Sequence, residues 1–336
     1  MDRYNALLTA SYGRHYLAQR LVQDEHGIES HVGQLIQVST PAKQHIGAVG
    51  DRMILESTSA DQARIIEIET RRNLLYRSDA FKSKLIAANV DQILVVLATQ
   101  PAFSPDLLGR AVVAAEANQI DLHILLNKCD LKDALPIARK IIEPYKRMGY
   151  PVSEVSAKFD PASIELLRPA LQGKVSVFVG QSGMGKSSLL NAWVPNAAAL
   201  TQEYSVRLDT GKHTTTACRY FDLPEWGRDK NGKLGGLIDS PGFQEFGLAH
   251  LSVSQLQHAF REFKSLLGQC RFHNCAHQSE PGCVIRDAVE NNEIAPERLA
   301  LFRQLRSDSK TADIQIQGIS QAKERWSTSP TKPSKR

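Results

Sequence analysis

The chain has 336 residues, of which 42% are hydrophobic and 23% charged, and it is long enough for two or three folded domains. Residues 1–21 lack the continuous apolar core of a signal peptide, and the longest apolar run, Ile93–Ala98, is far shorter than the ~20 residues that span a bilayer. We therefore expect a soluble cytoplasmic protein with no membrane partner, whose net charge of +5 permits an acidic partner such as RNA without requiring one.

Short runs of β-forming residues separated by turns occupy residues 1–76. The predicted strands are Tyr16–Ala18, His31–Val38, His45–Val49, Arg52–Leu55 and Ile65–Ile68. Short strands at such close spacing predict a small barrel or a sandwich, and a five-stranded oligonucleotide-binding (OB) barrel fits this length. Basic residues cluster toward its end, and they fit either an RNA contact or a solvated linker: Arg64, Arg71, Arg72, Arg77, Lys82 and Lys84.

From Asp91 onward, predicted strands alternate with predicted helices. The predicted strands are Asp91–Ala98, Leu122–Leu126, Val152–Val155 and Val175–Val179. One helix is predicted to begin after the N-cap Ser104, and a second to span Ala134–Met148. This alternation predicts a mainly parallel sheet with helices on both faces. Ligands of such sheets bind at the carboxyl ends of the strands.

A phosphate-binding loop follows the fourth of these strands. Residues 180–187 fit the pattern G-x-x-x-x-G-K-[ST], and the glycines allow backbone N–H groups to converge on a phosphate. Lys186 is expected to reach the β- and γ-phosphates, and Ser187 to bind magnesium. The predicted phosphate-binding residues are Gly180, Gln181, Ser182, Gly183, Met184, Gly185, Lys186, Ser187 and Ser188.

A guanine-recognition motif, N-K-x-D, ends an earlier strand at Asn127, Lys128, Cys129 and Asp130. Asp130 can accept from both guanine N1–H and the exocyclic amine, whereas adenine would leave the carboxylate unpaired. Asn127 is expected to contact the base and bridge to the phosphate loop, and Lys128 to lie over the sugar and base. The turn Ser156, Ala157 and Lys158 could offer backbone N–H to guanine O6.

Two more GTPase-like segments lie downstream of the phosphate loop. Leu237–Gly242 contains D-x-x-G, in which Asp239 would hold magnesium through water and the Gly242 N–H would sense the γ-phosphate. The loop Gly211–Thr216 could close over magnesium as a switch, and Thr215 is the first choice of its three threonines.

Three of the five cysteines lie close together near a histidine, which favours a metal site over a disulfide framework. Cys270, Cys275, His277 and Cys283 fall within 14 residues and supply the ligands of a closed tetrahedral zinc site, so the zinc should be structural. Helices are predicted around it at Val253–Leu267 and Val284–Leu305. Cys129 and Cys218 are interpreted as packing residues.

The guanine motif precedes the phosphate loop, whereas GTPases usually have the reverse order. With these motifs the chain resembles the circularly permuted, ribosome small-subunit-dependent GTPases of the RsgA type, over about residues 10–305. The resemblance implies an OB-like barrel at 1–76, a permuted GTPase domain at 77–248 and a zinc-binding helical domain at 249–306. The composition of the basic tail at 307–336 cannot build a core, so we expect it to be mobile until it meets a partner. The resemblance also implies GTP as substrate, zinc and magnesium as cofactors, and the maturing small ribosomal subunit with its rRNA as the partner of a monomer.

The residue after D-x-x-G is Phe243, where many GTPases place the glutamine that orients the attacking water. Phenylalanine cannot do this, and His213 beside the switch threonines is the nearest candidate, although a surface or RNA-facing role fits it equally. We expect a GTPase that is slow alone and stimulated by the subunit. The alternatives are an RNA-binding regulator in which hydrolysis is incidental, and a P-loop kinase, which Asn127–Asp130 disfavours because that motif specifies a base.

Overall fold

The computed structural model describes residues 2–12, 15–25, 28–40, 47–78, 83–198, 200, 202, 218–240 and 248–309. The chain forms two compact units, one of Met1–Arg77 with Ser83–Phe246 and one of Ser78–Lys82 with Gly247–Arg336. In those described ranges, no helix combines the length and the apolar character needed to cross a membrane.

The first unit begins with a β-barrel. Its strands in the described ranges are Arg3–Tyr12 (β1), His15–Gln23 (β2), Glu29–Ser39 (β3), Arg52–Ser57 (β4) and Gln62–Ile68 (β5). They follow the order β1-β2-β3-β5-β4, and β4 pairs back onto β1, which closes the barrel. Leu8, Leu17, Met53 and Leu55 are fully buried. The five-stranded barrel predicted from the sequence is therefore confirmed.

Strands β2 to β5 are each longer than predicted, and two further differences concern whole strands. No strand was predicted at β1, because Thr9 and Ser11 interrupt its apolar pattern. Both side chains are nevertheless buried, and β1 pairs with β2 on one edge and with β4 on the other. The predicted strand His45–Val49 is wrong where it can be seen: residues 47 and 48 belong to no strand, and Val49 forms an isolated bridge with Ala87. The Asp51 carboxylate accepts from Ala48 N at 2.7 Å and so fixes a turn here.

The rest of the first unit is a mainly parallel sheet, as predicted. After the small sheet of Leu74–Ser78 (β6) and Ser83–Ala88 (β7), its strands are Gln92–Ala98 (β8), Asp121–Asn127 (β9), Val152–Glu154 (β10), Val175–Val179 (β11), Cys218–Asp222 (β12) and Gly236–Asp239 (β13). Their order is β10-β9-β8-β11-β13-β12, and only β12 is antiparallel among these described strands. Strand β8 is buried along its whole length, so it forms the middle of the core.

The helices between these strands are Pro105–Asn118 (α1), Leu135–Arg147 (α2), Pro161–Glu165 (α3), Arg168–Leu171 (α4) and Lys186–Trp193 (α5). Helix α1 begins where the sequence predicts, because the Ser104 side chain accepts from Leu107 N and Pro105 occupies the first turn. It ends at Gln119, which adopts a left-handed conformation with φ of 54°.

The barrel and the parallel sheet are joined by strand pairing. Strand β1 pairs antiparallel with β12, which places Ala10 opposite Arg219 and Ser11 opposite Cys218. Within the described ranges, the two parts form one sheet of eleven strands. His31 Nδ1 of β3 lies 2.7 Å from a carboxylate oxygen of Asp222 at the end of β12. The boundary predicted after residue 76 falls within β6, and the barrel and the parallel sheet are continuous through β1 and β12.

The second unit contains Val253–Ala259 (α6), Val284–Glu290 (α7) and a helix over residues 296–309 (α8). The rings of Phe260, Phe263 and Phe302 pack with centroids 5.0–5.4 Å apart, and Arg298 forms a buried ion pair with Glu262. These contacts give the unit a core of its own.

Two predicted helices of this unit are shorter than expected. The helix predicted over Val253–Leu267 ends at Ala259 and continues as the 3₁₀ turn Arg261–Phe263. The helix predicted over Val284–Leu305 is interrupted, because Asn292 has a φ of 60° and Pro296 disfavours helical geometry at the residue before it. Helix α8 extends past the predicted tail boundary, since Ser309 is buried and donates to Leu251 O at 2.8 Å; residues 310–336 lie outside the described ranges.

Removing the carboxylate of Asp51 should destabilise the barrel. Asp51 is fully buried and accepts two hydrogen bonds of 2.7 Å from Arg71, whose pKa this pairing raises. Asp51→Ala would leave the guanidinium without that charge, which typically lowers the free energy of unfolding by about 3–5 kcal/mol. Urea unfolding followed by circular dichroism measures this. The control Asp61→Ala, at an exposed carboxylate that accepts from Ser59, should cost less than about 0.5 kcal/mol; equal effects would contradict the prediction.

Candidate nucleotide site and metal centre

The phosphate loop lies between β11 and α5, at the carboxyl end of β11, as predicted. Gly180 and Gly185 have φ values of 152° and 95°, which other residues rarely adopt. A Cβ at Gly180 would lie 2.3 Å from Val96 O, and one at Gly185 would lie 2.1 Å from Asn127 Nδ2. Both positions therefore require glycine, because neighbouring strands pack directly against the loop.

Lys186 crosses the phosphate loop, and its ammonium donates to the carbonyl oxygens of Gly180 and Gln181, the latter at 2.7 Å. Burial lowers the pKa of Lys186, and the charge of Asp239 partly offsets this. Ser187 and Ser188, in the first turn of α5, are exposed to solvent. The loop therefore presents a cation, two solvent-exposed serines and a helix N-terminus on one side, which suits a phosphate group.

Asn127 lies at the end of β9 and connects the guanine motif with the phosphate loop. Its side chain is 2% exposed; Nδ2 donates to Met184 O at 3.0 Å, and Oδ1 accepts from Ala157 N at 3.0 Å and Lys128 N at 2.8 Å. The predicted bridge from Asn127 to the phosphate loop is thus present in the structure. The same side chain also holds the turn that begins at Ser156.

The other residues of the guanine motif face the same edge of the sheet. The Asp130 carboxylate accepts from Ser156 Oγ and remains partly exposed. Lys128 adopts a φ of 61°, and Lys158 is exposed beside the ring of Phe159. Together they form an open polar site beside the phosphate loop.

Cys129 serves a packing role in this motif. Its thiol donates to Leu126 O at 3.1 Å, and burial raises its pKa to about 11, so the thiolate is scarce at neutral pH. Cys218 is likewise buried at the start of β12.

The magnesium side of the predicted site is described only in part. Asp239 ends β13, and burial raises the pKa of its carboxyl, against the charges of Lys186 and Arg219. The predicted residues His213, Thr215, Gly242 and Phe243 lie outside the described ranges. The described part of the structure therefore brings together the base motif, the phosphate loop and Asp239.

No sequence motif marked the segment that follows β8 as part of the site. Thr99 Oγ1 donates to Lys128 O at 2.8 Å, and Ser104 N donates to the Gln181 side chain at 2.7 Å. The segment carries no motif, but it leaves the carboxyl end of the strand between β9 and β11. Its place at the carboxyl end of a central parallel strand, where ligands of such sheets bind, was the signal that could have identified this segment.

Four side chains of the second unit form a candidate metal centre. The ligand atoms of Cys270, Cys275, His277 and Cys283 all lie within 4.8 Å of one another. His277 Nδ1 faces the thiols, 3.7 Å from Cys270 Sγ and 3.3 Å from Cys283 Sγ. The side-chain amide of Gln257 lies 3.1 Å from the other ring nitrogen, and Arg303 donates to the His277 carbonyl, so residues outside the cluster fix the ring.

The donor set fits zinc. Zinc binds thiolate at about 2.3 Å and imidazole nitrogen at about 2.0–2.1 Å, so four tetrahedral ligand atoms lie about 4 Å or less apart, close to the spacing seen here. Three thiols and one imidazole leave no position open for a substrate. The cluster is therefore compatible with a closed, structural zinc site, as the sequence predicts.

Removal of one thiol should abolish metal binding by this cluster. Cys275→Ala leaves three ligands, and the second unit should lose zinc and part of its helical structure, because the binding free energy of a structural site contributes to folding. Metal analysis and circular dichroism of the purified variant measure both effects. Cys218→Ala, a buried cysteine of the first unit, is the matched control and should keep one zinc per chain. Zinc retained by Cys275→Ala would refute the assignment.

A phosphate loop after β11 and an N-K-x-D motif at the end of β9 lie at the same edge of a parallel sheet, with only β8 between the two strands. Because the base motif comes first in the chain, they define a circularly permuted GTPase. A family model, RsgA GTPase, matches residues 68–249. The chain belongs to the RsgA GTPase family and is a GTPase.

Curated relatives support the assignment along most of the chain. A protein of Paraburkholderia phytofirmans is 52% identical over 304 residues, which cover 90% of this chain and 92% of that protein. A protein of Burkholderia mallei is 50% identical over 305 residues. Both are named "Small ribosomal subunit biogenesis GTPase RsgA".

Solved structures have the same fold. The crystal structure of YjeQ from Thermotoga maritima is 28% identical to this chain, with a TM-score of 0.65, and the match covers 92% of this chain and 99% of that one. A structure described as YloQ, a circularly permuted GTPase, is 24% identical with a TM-score of 0.62, covering 92% and 96%. The circular permutation predicted from the order of the sequence motifs is therefore confirmed.

Proposed function

We propose that this GTPase hydrolyses GTP to GDP and phosphate and that the bound nucleotide controls its attachment to the small ribosomal subunit during late maturation. The observation that supports guanine-nucleotide binding is that the Asn127 side chain forms hydrogen bonds with both the phosphate loop and the 156–158 turn. The names of the relatives support the subunit as partner. The protein would act as a monomer in the cytoplasm, where ribosomal subunits are assembled.

The described side chains divide into base and phosphate contacts. Asp130 accepts from guanine N1–H and its exocyclic amine, held in orientation by Ser156 Oγ. Asn127 contacts the base, Lys128 lies over the base and sugar, and the 156–158 turn offers backbone N–H to O6. On the other side, the 180–188 loop surrounds the phosphates, and Lys186 exchanges its carbonyl partners for the β- and γ-phosphates.

Magnesium would be held by Ser187, Asp239 and Thr215, and it would neutralise charge that develops on the phosphates during hydrolysis. The exposed Ser187 hydroxyl and the Asp239 carboxylate beside Lys186 fit this role. The Gly242 N–H senses the γ-phosphate, and His213 positions the attacking water because Phe243 cannot.

We propose that the barrel and the zinc-binding unit contact rRNA. One supporting feature is the loop between the first two zinc ligands, where Arg271, Phe272, His273 and Asn274 are all exposed. Phe272 is 42% exposed with the Arg271 guanidinium 5.5 Å from its ring centroid, and Arg271 N donates to Gly282 O at 3.0 Å, which fixes the loop. An exposed aromatic ring beside a cation suits stacking on an unpaired base next to a phosphate.

Guanine selectivity should depend on Asp130. In Asp130→Asn, an amide replaces the double acceptor and pairs better with xanthine, so GTP affinity should fall and XTP affinity should rise. Competition of GTP, XTP and ATP against a fluorescent GDP analogue measures both changes. The control Asp133→Asn, at an exposed carboxylate three residues along, should keep the preference for GTP. Equal GTP and ATP affinity in the unmodified protein would end the base assignment.

GTP turnover should rise when purified small subunits are added. The isolated protein should turn over at about 10⁻⁴–10⁻² s⁻¹, the range of unassisted GTPases, because no glutamine follows D-x-x-G. His213→Ala should bind GTP and subunits normally but lose most of the stimulated rate. Single-turnover assays with and without subunits measure this. If the stimulated rate survives in His213→Ala, another group positions the attacking water. If small subunits do not stimulate the unmodified protein, the proposed function is contradicted.

A further inference from the structure

Residues 99–104, which we call the brace, connect the end of β8 to the first turn of α1. Gln100, Pro101 and Ala102 are exposed, whereas Phe103 is buried and Ser104 caps the helix. The brace is therefore anchored at both ends and open to solvent in the middle. Because β8 lies between β9 and β11, the brace runs between the guanine motif and the phosphate loop.

At its first end the brace holds Lys128 by two hydrogen bonds. Thr99 Oγ1 donates to the Lys128 carbonyl, and Lys128 Nζ donates to the Gln100 carbonyl, both at 2.8 Å. These bonds secure both the backbone, which has a φ of 61° here, and the ammonium group. The position of Lys128 thus depends on the brace.

At its other end the brace contacts the phosphate loop through Gln181. Ser104 N donates to Gln181 Oε1 at 2.7 Å, while the Gln181 carbonyl accepts from Lys186 Nζ at 2.7 Å. Pro101 packs close by, since a Cβ at Gly183 would lie 3.6 Å from its Cγ. One residue, Gln181, therefore links the brace to the lysine that faces the phosphates.

We propose that Gln181 is a positioning residue which, through the brace, makes the base contact of Lys128 and the phosphate contact of Lys186 cooperative. A nucleotide that orders Lys128 at the base fixes the brace, and the fixed brace holds the phosphate loop in place through the bond from Ser104 N to Gln181 Oε1, so that Lys186 meets the phosphates in an ordered loop. Binding at one end of the nucleotide then reduces the ordering cost at the other. This inference rests on the proposed guanine and phosphate roles of the two lysines.

The first test is Gln181→Met, which keeps the length of the side chain and removes the acceptor for Ser104 N. The loss of one such hydrogen bond should weaken GDP binding about three- to tenfold, measured by isothermal titration calorimetry. The matched control is Gln172→Met: Gln172 donates to Trp226 O at 2.9 Å and precedes β11, at the opposite end of that strand from the phosphate loop. The control should bind GDP as tightly as the unmodified protein.

The decisive test combines Gln181→Met with Lys128→Met in a double-mutant cycle. If the brace couples the two ends, Gln181→Met should weaken GDP binding less than about twofold once the Lys128 ammonium is gone. A merely structural role of Gln181 predicts the same loss in both backgrounds, and that result, or no loss from Gln181→Met alone, overturns the inference. If Lys128→Met by itself leaves GDP affinity unchanged, the proposed base role of Lys128 fails, which is a separate outcome.

Discussion

The Asn127 side-chain amide is the interaction on which the rest of the nucleotide site depends. The amide can reach Met184 and Ala157 together only if β9 lies beside β10 and is separated from β11 by a single strand, β8. All of these strands must also end at the same edge of the sheet. A parallel sheet in this order satisfies that constraint even though the base motif comes first in the chain. The permutation changes which loops are covalently connected and leaves the geometry of the strand ends intact.

The continuous sheet gives this site a direct connection to the barrel. Strand β13 ends at Asp239 and pairs with β12, which in turn pairs with β1 of the barrel. The half-buried His31–Asp222 contact lies beside this pairing, and the ring of His31 packs edge-on against Tyr220 at 5.6 Å. Hydrogen bonds between strands resist sliding, so the barrel is held in fixed register with a strand that carries a proposed magnesium ligand.

The sequence was sufficient for features with local causes and insufficient for those set by neighbours. The Ser104 cap, the left-handed glycines of the phosphate loop and the spacing of Cys270 to Cys283 each leave a pattern in consecutive residues. Strand β1 leaves no such pattern, because the polar Thr9 and Ser11 interrupt its apolar residues although both are buried in the fold. Pro296 signals the break between the last two helices, but the apolar periodicity on either side of it obscured that signal. The hydrogen bond from Ser104 N to the Gln181 side chain has no local pattern, because the two residues are 77 positions apart in the chain.

The most direct test of this account is the GDP affinity of Asn127→Asp. The change replaces the donor to Met184 O with an acceptor and should separate the phosphate loop from the guanine motif. Asn118→Asp is the matched control, because Asn118 also donates to a main-chain carbonyl, that of Ala114 at 2.9 Å, but lies at the far end of α1. We predict that Asn127→Asp weakens GDP binding about 10- to 100-fold while the control does not. GDP binding of equal strength in the two variants would contradict the account.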